Sequence, residues 1–223
     1  MNDLKTPSYQ EGLEELRDNL TQMLPVDALN VFDADAEALQ AKYHSVLKLN
    51  KGDEAPDFTL SNATNKTVNL HETLQNNRVV LTFYRGTWCP YCNLMLAQYQ
   101  SILPEIQKAG AVLIAISPQT PDESLSIKEK NDLQFEVLSD NDNGVARLFT
   151  TVFKYGERPL DTMAELGFDF DSFYADDSRE LPIPATFIIE KDGTISFARS
   201  EGGDYRNRIE PQEIVNALNY NLK

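Results

Sequence analysis

The chain is short of cysteine. Its 223 residues hold two, Cys89 and Cys92, too few for the disulfide framework of a small secreted domain. It is also short of basic residues: 20 Lys and Arg stand against 35 Asp and Glu, a formal charge of −15. Such a chain repels phosphate backbones and anionic lipid, so neither nucleic acid nor a membrane is expected as a partner. No apolar run approaches the length of a membrane span. The opening stretch MNDLKTPSYQEGLEELRDNL has no apolar signal core and no Arg-rich transit pattern, and the expectation is a soluble cytoplasmic protein. Hydrophobic residues make up 41% of the chain, enough for a core, and the length suits one domain with an extension or at most two small ones.

Two regions follow from the patterning. Residues 1–50 read as a helical extension. Leu13, Leu16, Leu20 and Leu24 recur at helical spacing and Pro25 stops the run, and a second helix is expected over 34–49. These amphipathic helices are expected to cover a neighbouring surface or a second subunit, so a homodimer is one reading. Residues 51–223 read as an α/β domain. GDEAPDFTL and NKTVNL suggest a hairpin, and RVVLTFY, Arg78 to Tyr84, suits a buried central strand. A helix follows, interrupted at Pro104, and then a second buried strand, AVLIAIS. This strand–helix–strand unit implies parallel strands and a right-handed crossover. Thr120, Pro121 and Glu123 suggest a capping box. A short strand is expected over 135–138, a helix over 145–153 and a long acidic, aromatic-bearing loop with some helix over 155–181. PATFIIEKDGTISFAR gives two strands around a Lys-Asp-Gly turn, and a helix with Pro211 near its start closes the chain.

Both cysteines lie in Trp88-Cys89-Pro90-Tyr91-Cys92, where the apolar strand hands over to a helix. Unpaired N–H groups and the positive end of the dipole stabilise an anion there, and a thiolate at that place has a lowered pKa. On this reading Cys89 is exposed and nucleophilic, Cys92 lies one turn deeper, and the two can close to a Cys89–Cys92 disulfide. A zinc site is the competing reading, but zinc needs four ligands, and the chain's two histidines, His44 and His71, lie in unremarkable segments. Two inert core thiols are the other alternative. No metal or cofactor is expected. Pro184, before the strand ATFII, is either a plain strand-start proline or part of a cis Ile183–Pro184 bond.

The stretches GDEAPDFTL, VVLTFYRGTWCPYCNLML, LIAISPQTPDESLSIKEKN, VLSDNDNGVARLF and LPIPATFIIEKDGTISFA, with DYRNRIEP beyond, resemble the peroxiredoxin-like branch of the alkyl hydroperoxide reductase/thiol-specific antioxidant family. The resemblance implies a thioredoxin fold with an added N-terminal β-hairpin. It also implies an antioxidant thiol oxidoreductase with hydroperoxides as oxidants, and thioredoxin, glutaredoxin or a low-molecular-weight thiol as reductant. A cis-proline packed against the cysteine pair belongs to the same superfamily pattern and would fall at Pro184. The site departs from the family's Pro-x-x-x-Thr-x-x-Cys. With the reacting cysteine at Cys92, the proline falls on Arg85 and the threonine on Cys89; with it at Cys89, they fall on Thr82 and Gly86. The family's distant arginine would fall on Pro184. Cys-Pro-Tyr-Cys is similar to glutaredoxins, and Thr82 is the nearest counterpart of the buried acid of thioredoxins.

Three functions compete: a thiol peroxidase with Cys89 attacking and Cys92 resolving, a thiol–disulfide oxidoreductase, and a redox-sensing binding module acting through the 155–181 loop. Thr87, Trp88, Tyr91 and Arg85 are the expected pocket residues. Arg85 either supplies the missing positive charge or caps the strand end at the surface.

Overall fold

A computed structural model of the protein describes residues 6–220. Two helices come first, α1 (Tyr9–Met23) and α2 (Val26–Lys42). The second starts immediately after Pro25 and ends at Lys42, earlier at both ends than the 34–49 expected from its alanines. Proline stops α1 and also suits the first turn of the helix that follows. A hairpin of β1 (Thr59–Asn62) and β2 (Thr67–Asn69) leads to the short helix α3 (Leu70–Leu74). Then come β3 (Arg78–Phe83), α4 (Pro90–Ser101), α5 (Leu103–Lys108) and β4 (Ala111–Ser117). Pro104 breaks the helix into α4 and α5, as its missing N–H requires.

The chain continues through α6 (Pro121–Lys130), β5 (Glu136–Ser139), α7 (Ala146–Phe149), β6 (Val152–Lys154) and α8 (Glu157–Glu165). A 3-10 turn, Phe170–Phe173, precedes β7 (Glu180–Pro182), β8 (Ala185–Ile189), β9 (Ile195–Arg199) and α9 (Pro211–Tyr220). Two expectations are corrected here. Thr120 is the N-cap of α6 but makes no side-chain capping bond. The helix expected over 145–153 stops at Phe149, and the chain turns into β6, which pairs with β7. The helix expected within the 155–181 loop is α8, where Leu160 and Met163 are buried at helical spacing and Gly167, at φ +86°, follows the end.

The main sheet runs β2-β1-β5-β4-β3-β8-β9. Strands β3 and β4 are parallel, from Arg78 opposite Ala111 to Phe83 opposite Ile116, and β8 and β9 are antiparallel neighbours on the other side. This is a thioredoxin fold with an added hairpin and a helical extension. β3 is buried throughout because both its faces are covered, and its residues are apolar except Arg78 and Thr82. Val80 and Tyr84 pack with residues of α4, α5 and α9, while Val79, Leu81 and Phe83 pack with α3 and α7.

The extension packs on the chain's own core. Tyr9, Leu13 and Ala36 share a cluster with Val80 and both cysteines. The carboxylate of Glu210 accepts from the backbone N–H groups of Tyr9 (2.7 Å) and Gln10 (2.9 Å) and so caps α1. Helix α2 is tied to residues 203–206. Arg206 pairs with Asp33 at 2.6 Å, the Tyr205 hydroxyl donates to the Phe32 carbonyl at 2.8 Å, and the Gly203 N–H donates to the Tyr43 carbonyl. Gly203 lies so close to α2 that a Cβ there would sit 2.2 Å from the Leu39 carbonyl oxygen. Tyr9, Leu13 and Ala36 of these helices are thus used within the protomer, while Met23 and Val26 stay exposed.

Candidate active site

Strand β3 ends at Phe83, and residues 84–89 carry the chain to the start of α4. Cys89 is the N-cap, with φ −83° and ψ 111°, Pro90 takes the first helical position, and Cys92 lies within the first turn. The connecting loop is held from several sides. The Thr87 N–H donates to Gln119 Oε1 at 2.7 Å, and Gln119 Nε2 returns a bond to the Thr87 hydroxyl. Asn93 Nδ2 donates to the Thr87 and Cys89 carbonyls. Trp88 Nε1 donates to the Tyr174 hydroxyl at 2.7 Å, which in turn donates to the Arg85 carbonyl at 3.0 Å. Gly86 is needed there because a Cβ would lie 2.7 Å from Trp88 Nε1 and 3.0 Å from the Tyr174 hydroxyl.

Both cysteines are free thiols and both are buried. Cys89 is 1% exposed, against the exposure that its position at a helix start suggested; it is buried in one cluster with Tyr9, Leu13 and Ala36 of the helical extension. The ionisation is also the reverse of the sequence expectation. Burial pushes the Cys89 thiol well up, and its hydrogen bond to Cys92 adds to this. Burial acts on Cys92 too, but the bond received from Cys89, the Arg208 guanidinium and a backbone bond from Arg85 outweigh it and hold Cys92 well below an ordinary thiol. These influences bias the proton of the pair toward Cys89 and the negative charge toward Cys92.

Arg208 is the residue that the sequence did not single out as functional. It is buried, its Nη2 donates to Cys92 Sγ at 3.2 Å, and its Nη1 donates to the Asn207 carbonyl at 2.7 Å and also to the Tyr205 carbonyl. A buried guanidinium without a counter-charge is costly, and a Cys92 thiolate supplies one. Arg85 is likewise buried, at 1% exposure, and does not cap the strand at the surface. Its guanidinium lies 3.8 Å from the ring centre of Tyr205 and 4.7 Å from those of Trp88 and Tyr155. Such cation–π contacts soften the cost of burying the charge. Arg85 Nε and Nη2 have no hydrogen-bond partner.

A cavity of about 190 Å³ opens beside Cys89. Arg85, Trp88, Pro90 and Tyr91 share its lining with Cys89, whereas Cys92 and Thr87 are not part of it. Pro184 is buried one shell away, beside Met95, Tyr99 and Arg208. No peptide bond among the described residues is cis, so Ile183–Pro184 is trans and Pro184 starts β8 as an ordinary strand-start proline. Thr82 shares a hydrogen bond with Thr186 at 3.0 Å. Among the described residues no group of three or more His, Cys, Asp or Glu is placed to hold a metal ion.

Residues 51–198 match the AhpC/TSA family. A putative peroxiredoxin of Mycobacterium tuberculosis is 28% identical over 152 residues, covering 68% of this chain and 85% of its own. Peroxiredoxin Bcp of Escherichia coli is 29% identical over 147 residues, 66% of this chain and 83% of its own. The crystal structure of peroxidoxin BcpB from Mycobacterium tuberculosis superposes with a TM-score of 0.60 at 21% identity, covering 77% of this chain and 97% of that one. The family match spans β1 to β8 and both cysteines, while helices α1 and α2 and Arg208 lie outside residues 51–198, and the chain belongs to the AhpC/TSA family.

Proposed function

We propose that this chain is a thiol-dependent peroxidase in which Cys89 attacks a hydroperoxide and Cys92 resolves the product. The observation that carries the assignment is the arrangement of the thiols: hydrogen-bonded to each other, between two buried guanidiniums, with Cys89 lining a cavity. Cys89 first passes its proton to Cys92, and the Cys89 thiolate so formed attacks the terminal oxygen of R–O–O–H. A sulfur–oxygen bond forms as the O–O bond breaks, and the proton now on Cys92 passes to the departing alkoxide, restoring the Cys92 thiolate. Cys89 becomes a sulfenic acid, oxidised by two electrons, and the peroxide leaves as an alcohol or water. The Cys92 thiolate then displaces hydroxide from the Cys89 sulfur, closing the disulfide, and the hydroxide takes a proton from solvent. A dithiol of the thioredoxin type, glutaredoxin or a small thiol supplies two electrons and two protons to restore the pair.

Arg208 stabilises the resolving thiolate, and the unpartnered N–H groups of Arg85 are available to the peroxide oxygens as charge develops on them. A dithiol maintained in the reduced state suits the cytoplasm, and no helix among the described residues is long and apolar enough to cross a membrane. The test is stopped-flow mixing of the reduced protein with one equivalent of hydroperoxide. Disulfide formation far faster than the oxidation of a free thiol at the same pH is expected; a rate equal to the free thiol's removes the peroxidase reading.

A further inference from the structure

Asp35 stands in α2, outside residues 51–198 of the family match. Its neighbour Ala36 is fully buried in one cluster with both cysteines, so this turn of α2 faces the site. Asp35 Oδ2 is buried without a hydrogen-bond partner, and so are Nε and Nη2 of Arg85. Two tyrosines link these groups. The Tyr205 ring centre lies 3.8 Å from the Arg85 guanidinium, and the Tyr205 hydroxyl donates to the carbonyl of Phe32, one helical turn before Asp35. The Tyr155 ring centre lies 4.7 Å from the same guanidinium. A Cβ on the next residue, Gly156, would sit 3.7 Å from Asp35 Oδ1. Burial pushes the Asp35 carboxyl up, and the Arg85 charge is the largest influence against that rise. A buried cation and a buried anion offset part of each other's cost even without touching.

We propose that Asp35 is a positioning residue that partly neutralises Arg85 from across the two tyrosines and so keeps negative charge off Cys89. Arg208, which donates to Cys92 Sγ at 3.2 Å, then makes Cys92 the favoured seat of that charge. The helical extension thereby sets the electrostatics of the thiol pair as well as packing against it. The inference concerns the resting pair and does not depend on the peroxidase reading.

The test uses two alkylating probes of like size, neutral iodoacetamide and anionic iodoacetate, on the reduced protein, with the Cys89 adduct followed by peptide mass spectrometry. Both probes react with the same thiolate. The ratio of their rates, iodoacetate over iodoacetamide, therefore reports the local potential and cancels the changes in access that a purely structural lesion brings. Asp35→Asn removes the charge at nearly constant shape and should raise the ratio at least about fivefold. Asp35→Ser should do the same, so one folded variant suffices, and Asp35→Glu should restore the wild-type ratio. Glu37, an exposed acid of the same helix, is the control: Glu37→Gln should keep the ratio within about twofold, because solvent and salt screen it. An unchanged ratio in the neutral variants, or an equal rise in Glu37→Gln, overturns the proposal and leaves the peroxidase reading standing. A raised ratio in a protein that hydroperoxides oxidise no faster than a free thiol supports the proposal and removes only the peroxidase reading.

Discussion

Replacing Arg208 with methionine tests the electrostatics of the pair. The guanidinium donates to Cys92 Sγ at 3.2 Å in a buried setting. A hydrogen bond to a charged group contributes about 1.5–3 kcal/mol, and a tenfold change in an acid's ionisation constant corresponds to about 1.4 kcal/mol. Loss of this donor should therefore weaken the Cys92 acid by about ten- to a hundredfold, moving its titration midpoint to higher pH. The direction follows from charge: a cation favours the thiolate, so its removal favours the thiol. Ultraviolet thiolate absorbance against pH reads the midpoint directly. In parallel, the rate of disulfide closure at a pH below that midpoint should fall by about the same ten- to hundredfold factor, because only the thiolate attacks. Arg208→Lys keeps the charge and should bring the midpoint part of the way back, which a purely structural lesion would not do. An unchanged midpoint in Arg208→Met, or a low midpoint that survives Cys92→Ser, refutes the assignment of the thiolate to Cys92.

Two further substitutions test how the site is held. Gly203→Ala places a Cβ against the Leu39 carbonyl and should cost about 1–3 kcal/mol, seen as a lowered urea midpoint; an unchanged midpoint means that α2 does not depend on this close approach. Tyr174→Phe removes the partner of Trp88 Nε1 and the donor to the Arg85 carbonyl. Leaving the indole N–H unsatisfied should cost about 1–3 kcal/mol and slow peroxide oxidation by loosening the loop that carries Arg85; wild-type stability and rate together would show that these bonds do not order the site.

The elements nearest the thiols were the most legible in the sequence. The run RVVLTF could be read as a doubly covered strand, the cysteine spacing as a strand-to-helix junction, and Pro104 as a helix break, because each is a local signal. What covers the pair was not legible. Cys89 is buried with residues of α1 and α2, which reach it only in the folded chain, so a helix-start position alone suggested exposure. Arg208 lies 116 residues from Cys92, and its pairing is purely tertiary; two arginines in the short segment DYRNRIEP of an acidic chain were the available hint. Helix α8 did leave a trace, with Leu160 and Met163 at helical spacing and Gly167 beyond, but the acidic surroundings masked its bounds. The reversed ionisation follows from the same cause. A helix N-terminus lowers a thiol's pKa only while burial does not outweigh it, and at Cys89 burial is the largest influence.

The most direct test of the proposed cycle is to locate the first oxygen transferred. Cys92→Ser, reduced and then mixed with one equivalent of hydroperoxide in the presence of a sulfenic-acid trap, should yield a single adduct at Cys89 by peptide mass spectrometry, while Cys89→Ser should yield none. An adduct at Cys92 in Cys89→Ser, with Cys92→Ser inert, would contradict the account and make Cys92 the attacking sulfur.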